Sequence, residues 1–96
     1  MHAAVFRYDG VARSTEELLP VGRRVAAVLG QVPGFVTHVL LDAGGGVLLS
    51  VSIFDTAADL EVAERLITQP SGDSPTIAWP PPTRLTAGEV IVQRGL

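Results

Sequence analysis

An α+β fold of order β-α-β-β-α-β is predicted by three features of this 96-residue chain. Two apolar runs flank the loop Asp42-Ala43-Gly44-Gly45-Gly46, the pattern of a β-hairpin. On each side of the hairpin lies a stretch whose apolar residues recur at helical spacing behind a capping sequence. Short strand-like runs, Ala3 to Tyr8 and Leu85 to Gln93, close the two ends. The length suits one domain, 1–96, with a proline-rich loop or arm at 69–84.

In the first strand, alternation gives Ala4, Phe6 and Tyr8 one face and Ala3, Val5 and Arg7 the other. An arginine rarely sits unpaired in a core, so Phe6 is expected to face the helices and Arg7 to point away. Ser14-Thr15-Glu16-Glu17 then fits a capping box, with Glu17 reaching back to the cap. Leu18, Val21, Val25, Val28, Leu29 and Val32 form the apolar stripe of the helix that follows. Pro20, at the sixth helical position, lacks the N–H that the ladder uses, so a kink or a late start near Leu19 is expected. Val32-Pro33-Gly34 ends the helix, because a residue before proline avoids the α region.

In the hairpin, pairing Leu41 with Val47 sets His38 opposite Ser50 and Val36 opposite Ser52. One face carries Phe35, Thr37, Val39 and Leu41 with Val47, Leu49, Val51 and Ile53. It is nearly all apolar and is expected to pack on the helices. The other carries Val36, His38, Leu40, Leu48, Ser50, Ser52 and Phe54, and is expected to stay open.

Thr56 caps a second helix over Ala57 to Thr68, with Leu60, Ala63 and Ile67 inward and Asp59, Glu61 and Glu64 outward. Glu61 and Arg65 stand at the spacing of a surface ion pair. Residues 69–84 hold five of the seven prolines and no helical period. Pro80-Pro81-Pro82 favours a stiff, extended segment that places Trp79 against the rest of the molecule.

This order is the split β-α-β of a ferredoxin-like fold, a four-stranded antiparallel sheet of order 4-1-3-2 with two helices on one face. The other face is left uncovered. The composition is 47% hydrophobic with a mean hydropathy of +0.36, yet no apolar run reaches the roughly 18–20 residues of a spanning helix. Burial against a second copy, sheet to sheet, accounts for both facts and predicts a homodimer, a dimeric α/β barrel. The formal charge of −3 and the absence of lysine argue against nucleic acid as a partner. No membrane association is expected. The absence of cysteine removes disulfides, thiolate metal sites and cysteine nucleophiles together. The N-terminus lacks a basic region followed by an apolar core, so no secretory signal is read and a cytoplasmic location is expected.

Arg7–Val11 (RYDGV), Pro33–Val36 (PGFV), Leu41–Thr56 (LDAGGGVLLSVSIFDT) and Leu85–Val92 (LTAGEVIV) give the chain a further resemblance. It resembles dimeric α/β-barrel proteins of the antibiotic-biosynthesis-monooxygenase type, and is similar to small bacterial members of that superfamily. The resemblance spans nearly the whole chain and implies the ferredoxin-like dimer. It also implies a range of activities: cofactor-free quinol and polyketide monooxygenases, haem-degrading enzymes and isomerases. Those relatives continue the second helix further, whereas here Gln69-Pro70-Ser71-Gly72 cuts it short. No haem-degrading or quinol-oxidising constellation matches residue by residue.

The candidate catalytic residues are His38 and Arg7, both on the open face in this register. A neutral imidazole would act as general base or orient a substrate hydroxyl, with Arg7 stabilising an enolate-like oxygen. The alternative is a dimer-face histidine satisfied by a serine across the strands. Ser50, Ser52 and Trp79 are candidate ligand-binding residues, Trp79 as a lid over an apolar cleft or as a plug in the core edge or dimer seam. No acid is placed to complete a Ser/His/Asp triad. The three glycines lie between strands rather than before a helix, so they do not read as a phosphate loop. No metal-ligand spacing and no flavin or nicotinamide fingerprint is present, so no metal and no cofactor are expected. Two functions follow. One is a cofactor-independent monooxygenase-like or isomerase-like enzyme acting on an aromatic or polyketide-type small molecule in a cleft between sheet and helices. The other is a non-catalytic small-molecule-binding or accessory homodimer whose open face is all interface.

Overall fold

The computed structural model describes residues 1–11, 14–68 and 82–96. The chain forms β1 (His2–Tyr8), α1 (Thr15–Gly30), β2 (Phe35–Gly44), β3 (Val47–Phe54), α2 (Ala57–Thr68) and β4 (Arg84–Glu89). The four strands make one antiparallel sheet in the order β2-β3-β1-β4, which is the expected 4-1-3-2 read from the other edge. Both helices cover one face of it.

The core lies between that face and the helices. Ala4, Phe6 and Tyr8 of β1 are buried there, as the arginine argument required, against Leu18, Val25 and Leu29 of α1 and Leu60 and Ala63 of α2. Fully buried Phe54 stands edge-on to Phe35, with ring centroids 5.7 Å apart. The Ser14 hydroxyl accepts from the Glu17 amide at 3.3 Å and donates to the Glu17 carboxylate at 3.2 Å, so the capping box closes on the side chain of Ser14. Thr56 likewise caps α2 by accepting from the Asp59 amide at 3.1 Å.

Several expectations are corrected. The late start at Leu19 does not occur: α1 begins at Thr15 and runs through Pro20. Proline removes one ladder bond there, to Glu16 in the exposed first turn, where water can replace it. The hairpin register differs as well. His38 pairs with Ser52 and Leu40 with Ser50, because β2 extends to Gly44 and the turn is only Gly45-Gly46. Both turn residues have positive φ, 62° and 79°, which glycine adopts without penalty. Asp42 accepts from the Gly44 amide at 2.9 Å and helps shape the bulge that precedes the turn.

The largest correction concerns the faces of the hairpin. The side carrying His38, Leu40, Leu48, Ser50, Ser52 and Phe54 faces the helices, and the nearly all-apolar side faces away. The register of β1 on β3 explains why. Buried Ala4, Phe6 and Tyr8 pair with Ser52, Ser50 and Leu48, and paired residues of an antiparallel ladder share a face. Val39 and Leu41, on the other side, keep 49% and 40% of their surface exposed. Phe35 nevertheless joins the core, because a bulge between Phe35 and Thr37 turns it inward. At the far edge, β4 is shorter than the expected Leu85–Gln93. Its pairing with β1 ends at the bond from the Val90 amide to the Met1 carbonyl, and Ile91 and Val92 lie exposed beyond it.

Most of the proline-rich arm, 69–81, lies outside the described residues. Among the described residues no helix is long and apolar enough to cross a membrane.

Candidate functional site

A narrow, mostly apolar cleft lies between the sheet and the two helices, with a cavity volume of about 20 Å³. That is room for about one water, far below the roughly 300–1,000 Å³ of small-molecule sites. Here the polar groups include His38 from β2, Ser50 and Ser52 from β3, and Glu64 from α2. They are set among Phe6, Leu29, Leu40, Phe54 and Ile67. Gly22 of α1 permits the close approach of helix to sheet: a Cβ there would stand 3.1 Å from Leu40 Cδ2. A wider depression of about 230 Å³ opens along α1 and shares Gly22, His38 and Leu40 with the cleft, so His38 borders both spaces.

His38 is half-buried, and its Nδ1 lies 2.8 Å from Ser52 Oγ across the strand pair. Burial penalises the charged imidazolium and pushes its pKa below the ordinary value of about 6.5. The ring is therefore neutral at pH 7, with one N–H and one lone pair. In the tautomer that donates from Nδ1 to Ser52, the lone pair is on Nε2.

Glu64 was missed by the sequence reading, which placed it outward. It is half-buried and lines the cleft. Burial, followed by the negative charge of Glu61, raises the pKa of its carboxyl. The signal was present in the spacing, since Glu64 stands four residues after Leu60 and three before Ile67, on the buried face of α2. Of the expected Glu61–Arg65 pair, the structure shows Arg65 Nε donating to the Glu61 carbonyl oxygen at 3.4 Å.

The other sequence candidates separate. His38, Ser50 and Ser52 come together. Arg7 does not join them: it pairs with Leu49 and Arg84 on the opposite face of the sheet. Its guanidinium instead holds Asp9, with Nε and Nη2 each 3.1 Å from Oδ1. Asp9 also accepts from the Thr83 hydroxyl at 2.6 Å. The Arg7 hydrogen bond, then that from Thr83, lowers the Asp9 carboxyl, while Asp9 raises the guanidinium. Both side chains are exposed, so the pair fastens the end of β1 to the start of β4 and contributes little to stability. Trp79 lies outside the described residues.

Among solved structures, the chain is similar to a mutant of SnoaB, a cofactor-independent oxygenase from Streptomyces nogalater, at a TM-score of 0.69 and 18% identity over 96% of this chain and 94% of that one. The shared architecture is the ferredoxin-like α+β fold. The haem-degrading protein Rv3592 from Mycobacterium tuberculosis, in a haem-free form, gives 0.68 and 17% identity over 98% of both chains. A MhuD mutant with two manganese protoporphyrin IX molecules bound per active site gives 0.71 and 20% identity over 99% of both. At these identities the likeness is one of fold. No protein-family profile matches the chain, and no curated protein does.

Proposed function

We propose that the chain is a monooxygenase-like enzyme that oxidises an aromatic or polyketide-type small molecule in the depression beside His38, between sheet and α1, without a bound cofactor. The observation that supports this most directly is His38: a neutral imidazole, oriented by Ser52, that borders the mostly apolar depression along α1. That the fold is shared with a cofactor-independent oxygenase lends further support.

The chemistry asks little of the protein. Nε2 of His38 removes an acidic proton from an activated methylene or phenol of the substrate. The resulting enolate passes one electron to dioxygen, and the two radicals combine at carbon as a peroxide that regains the proton from His38. Loss of water leaves a carbonyl, so a methylene and one dioxygen become a carbonyl and one water with no external reductant. The apolar walls exclude water while the carbanion exists. Ser50 and Ser52 serve as hydrogen-bonding residues, Ser52 by fixing the imidazole.

The protein acts as a homodimer through the open sheet face, where Val5, Val39 and Leu41 expose apolar surface that a soluble monomer would not keep in water. Arg7 on that face belongs to the interface rather than to the cleft. A cytoplasmic location accords with this chemistry.

Oxygen uptake with a hydroxylated anthrone tests the reading. Uptake should exceed the buffer rate and fall by about 10²–10⁴-fold in His38→Ala, the range for a general base, with the protein still folded and dimeric. Uptake at the buffer rate in the native protein, alongside ligand binding, would instead favour the non-catalytic binding homodimer.

A further inference from the structure

We infer that the closed cleft between sheet and helices is a binding site for one water molecule, held by Ser50 and Ser52, and that this water allows His38 to carry its proton on Nδ1. The water site stands on the cleft alone, whereas its consequence for catalysis rests on His38 being the base proposed above.

Ser50 carries the inference. Among the described residues it is the only polar one that is buried, with 7% of its surface exposed. Its hydroxyl meets no hydrogen-bond partner among the described residues. No polar side-chain atom there is both unpartnered and sealed from water-sized contact, so the Ser50 oxygen opens onto the cleft that it lines. Buried polar groups in folded proteins are nearly always hydrogen-bonded, to water where no protein group reaches.

The cleft has the size and the second partner that a water needs. Its volume of about 20 Å³ exceeds the roughly 10–15 Å³ that one water requires and excludes a ring system. Ser50 and Ser52 both line it from one face of β3. Residues two apart on a strand are separated by about 6.6 Å. A water making two bonds of about 2.8 Å spans about 5.6 Å, and rotation of the two hydroxyls makes up the difference.

Ser52 links this water to the imidazole. Its Oγ lies 2.8 Å from His38 Nδ1, and either group can be the donor. Nδ1 is the only partner of the Ser52 hydroxyl among the described residues. Without a water, the Ser52 proton goes to Nδ1, the ring keeps its own proton on Nε2, and no lone pair is left for a base. With a water to receive the Ser52 proton, Ser52 Oγ accepts from Nδ1–H and Nε2 holds the lone pair. His38 then donates to Ser52, Ser52 to the water, and the water to Ser50. This is the arrangement a general base on Nε2 needs.

Nuclear magnetic resonance tests both parts without a substrate, in a His2→Gln background where His38 is the one imidazole. Water should show direct cross-relaxation to the side-chain protons of Ser50 and Ala63, and the ring nitrogen shifts should show the proton on Nδ1. Ser50→Val removes the hydroxyl and fills the cleft; it should abolish the water signals and lower the ratio of Nδ1–H to Nε2–H by about two- to tenfold, the weight of one hydrogen bond. Ser50→Thr keeps the hydroxyl and should hold the native ratio. Circular dichroism checks each fold, and Ser50→Ala gives a second reading without added volume. Absence of water signals at those protons in the native protein would overturn the site. An unchanged tautomer ratio in both Ser50→Val and Ser50→Ala would overturn the link to His38. Oxygen uptake plays no part in the test, so its failure counts against the enzyme reading alone.

Discussion

The two faces of the sheet carry opposite compositions to those their positions would suggest. The covered face holds a histidine and two serines among its apolar residues, whereas the uncovered face of the hairpin is almost wholly aliphatic. On the covered side Phe54, Leu48 and Leu60 fill the core, and His38 and Ser52 satisfy each other across the strand pair. On the uncovered side, aliphatic residues such as Val39 and Leu41 stand exposed. In the proposed reading, ligand chemistry belongs to the space beside His38 and association to the far side of the sheet, so the two tasks do not compete for one surface.

Truncating the covered face is expected to have the largest effect. Phe54→Ala should lower unfolding free energy by about 3–5 kcal/mol, as for other buried aromatics, measured from urea midpoints at fixed protein concentration. A loss below about 1 kcal/mol would mean that this face is not the core. Next in size is the positioning role of Ser52. Ser52→Ala should reduce kcat about tenfold with KM nearly unchanged, because substrate still fits while the imidazole loses its orienting bond. Ser52→Thr keeps the hydroxyl and should restore part of the rate; equal losses in both variants would point to packing instead.

The smallest effect is a dependence on pH. His38 has a lowered pKa in the folded protein, so below about pH 6.5 the unfolded chain takes up its proton first. Stability contributed by the neutral imidazole is therefore present above that pH and is lost as pH falls toward the folded-state value. Urea midpoints should decline more steeply from pH 7 to pH 5 in the native protein than in His38→Gln. Parallel declines would show that the imidazole is not buried as described.

Much of the fold was legible because its signals are local. The capping sequences at Ser14 and Thr56, the stripe from Leu18 to Val32, and the span of α2 all rest on residues within one or two turns. The candidate site was legible in its residue types but not in its placement. His38, Ser50 and Ser52 were grouped correctly, since alternation alone puts them on one face. Which way that face points depends on pairing with β1, a contact between residues forty or more positions apart. Judging the faces by apolar content fails here because the more aliphatic face of the hairpin is the one the helices leave uncovered. The inward set of β1 already held the answer: Phe6 faces the helices, and its cross-strand neighbour is Ser50. Glu64 was overlooked for a related reason. Charge was taken to mean exposure, although the helical period put the residue between Leu60 and Ile67.

The separation of the two faces is tested most directly by titrating dihydroxyanthraquinone into Val39→Arg, with the mass of the protein followed by light scattering. An arginine at this position places a charge in the middle of the aliphatic face, far from the cleft side of the sheet. The account predicts a monomer that binds the compound within about threefold of the native affinity, a shift of less than about 0.7 kcal/mol. Loss of binding together with the dimer, or a dimer that persists with the arginine in place, would contradict it.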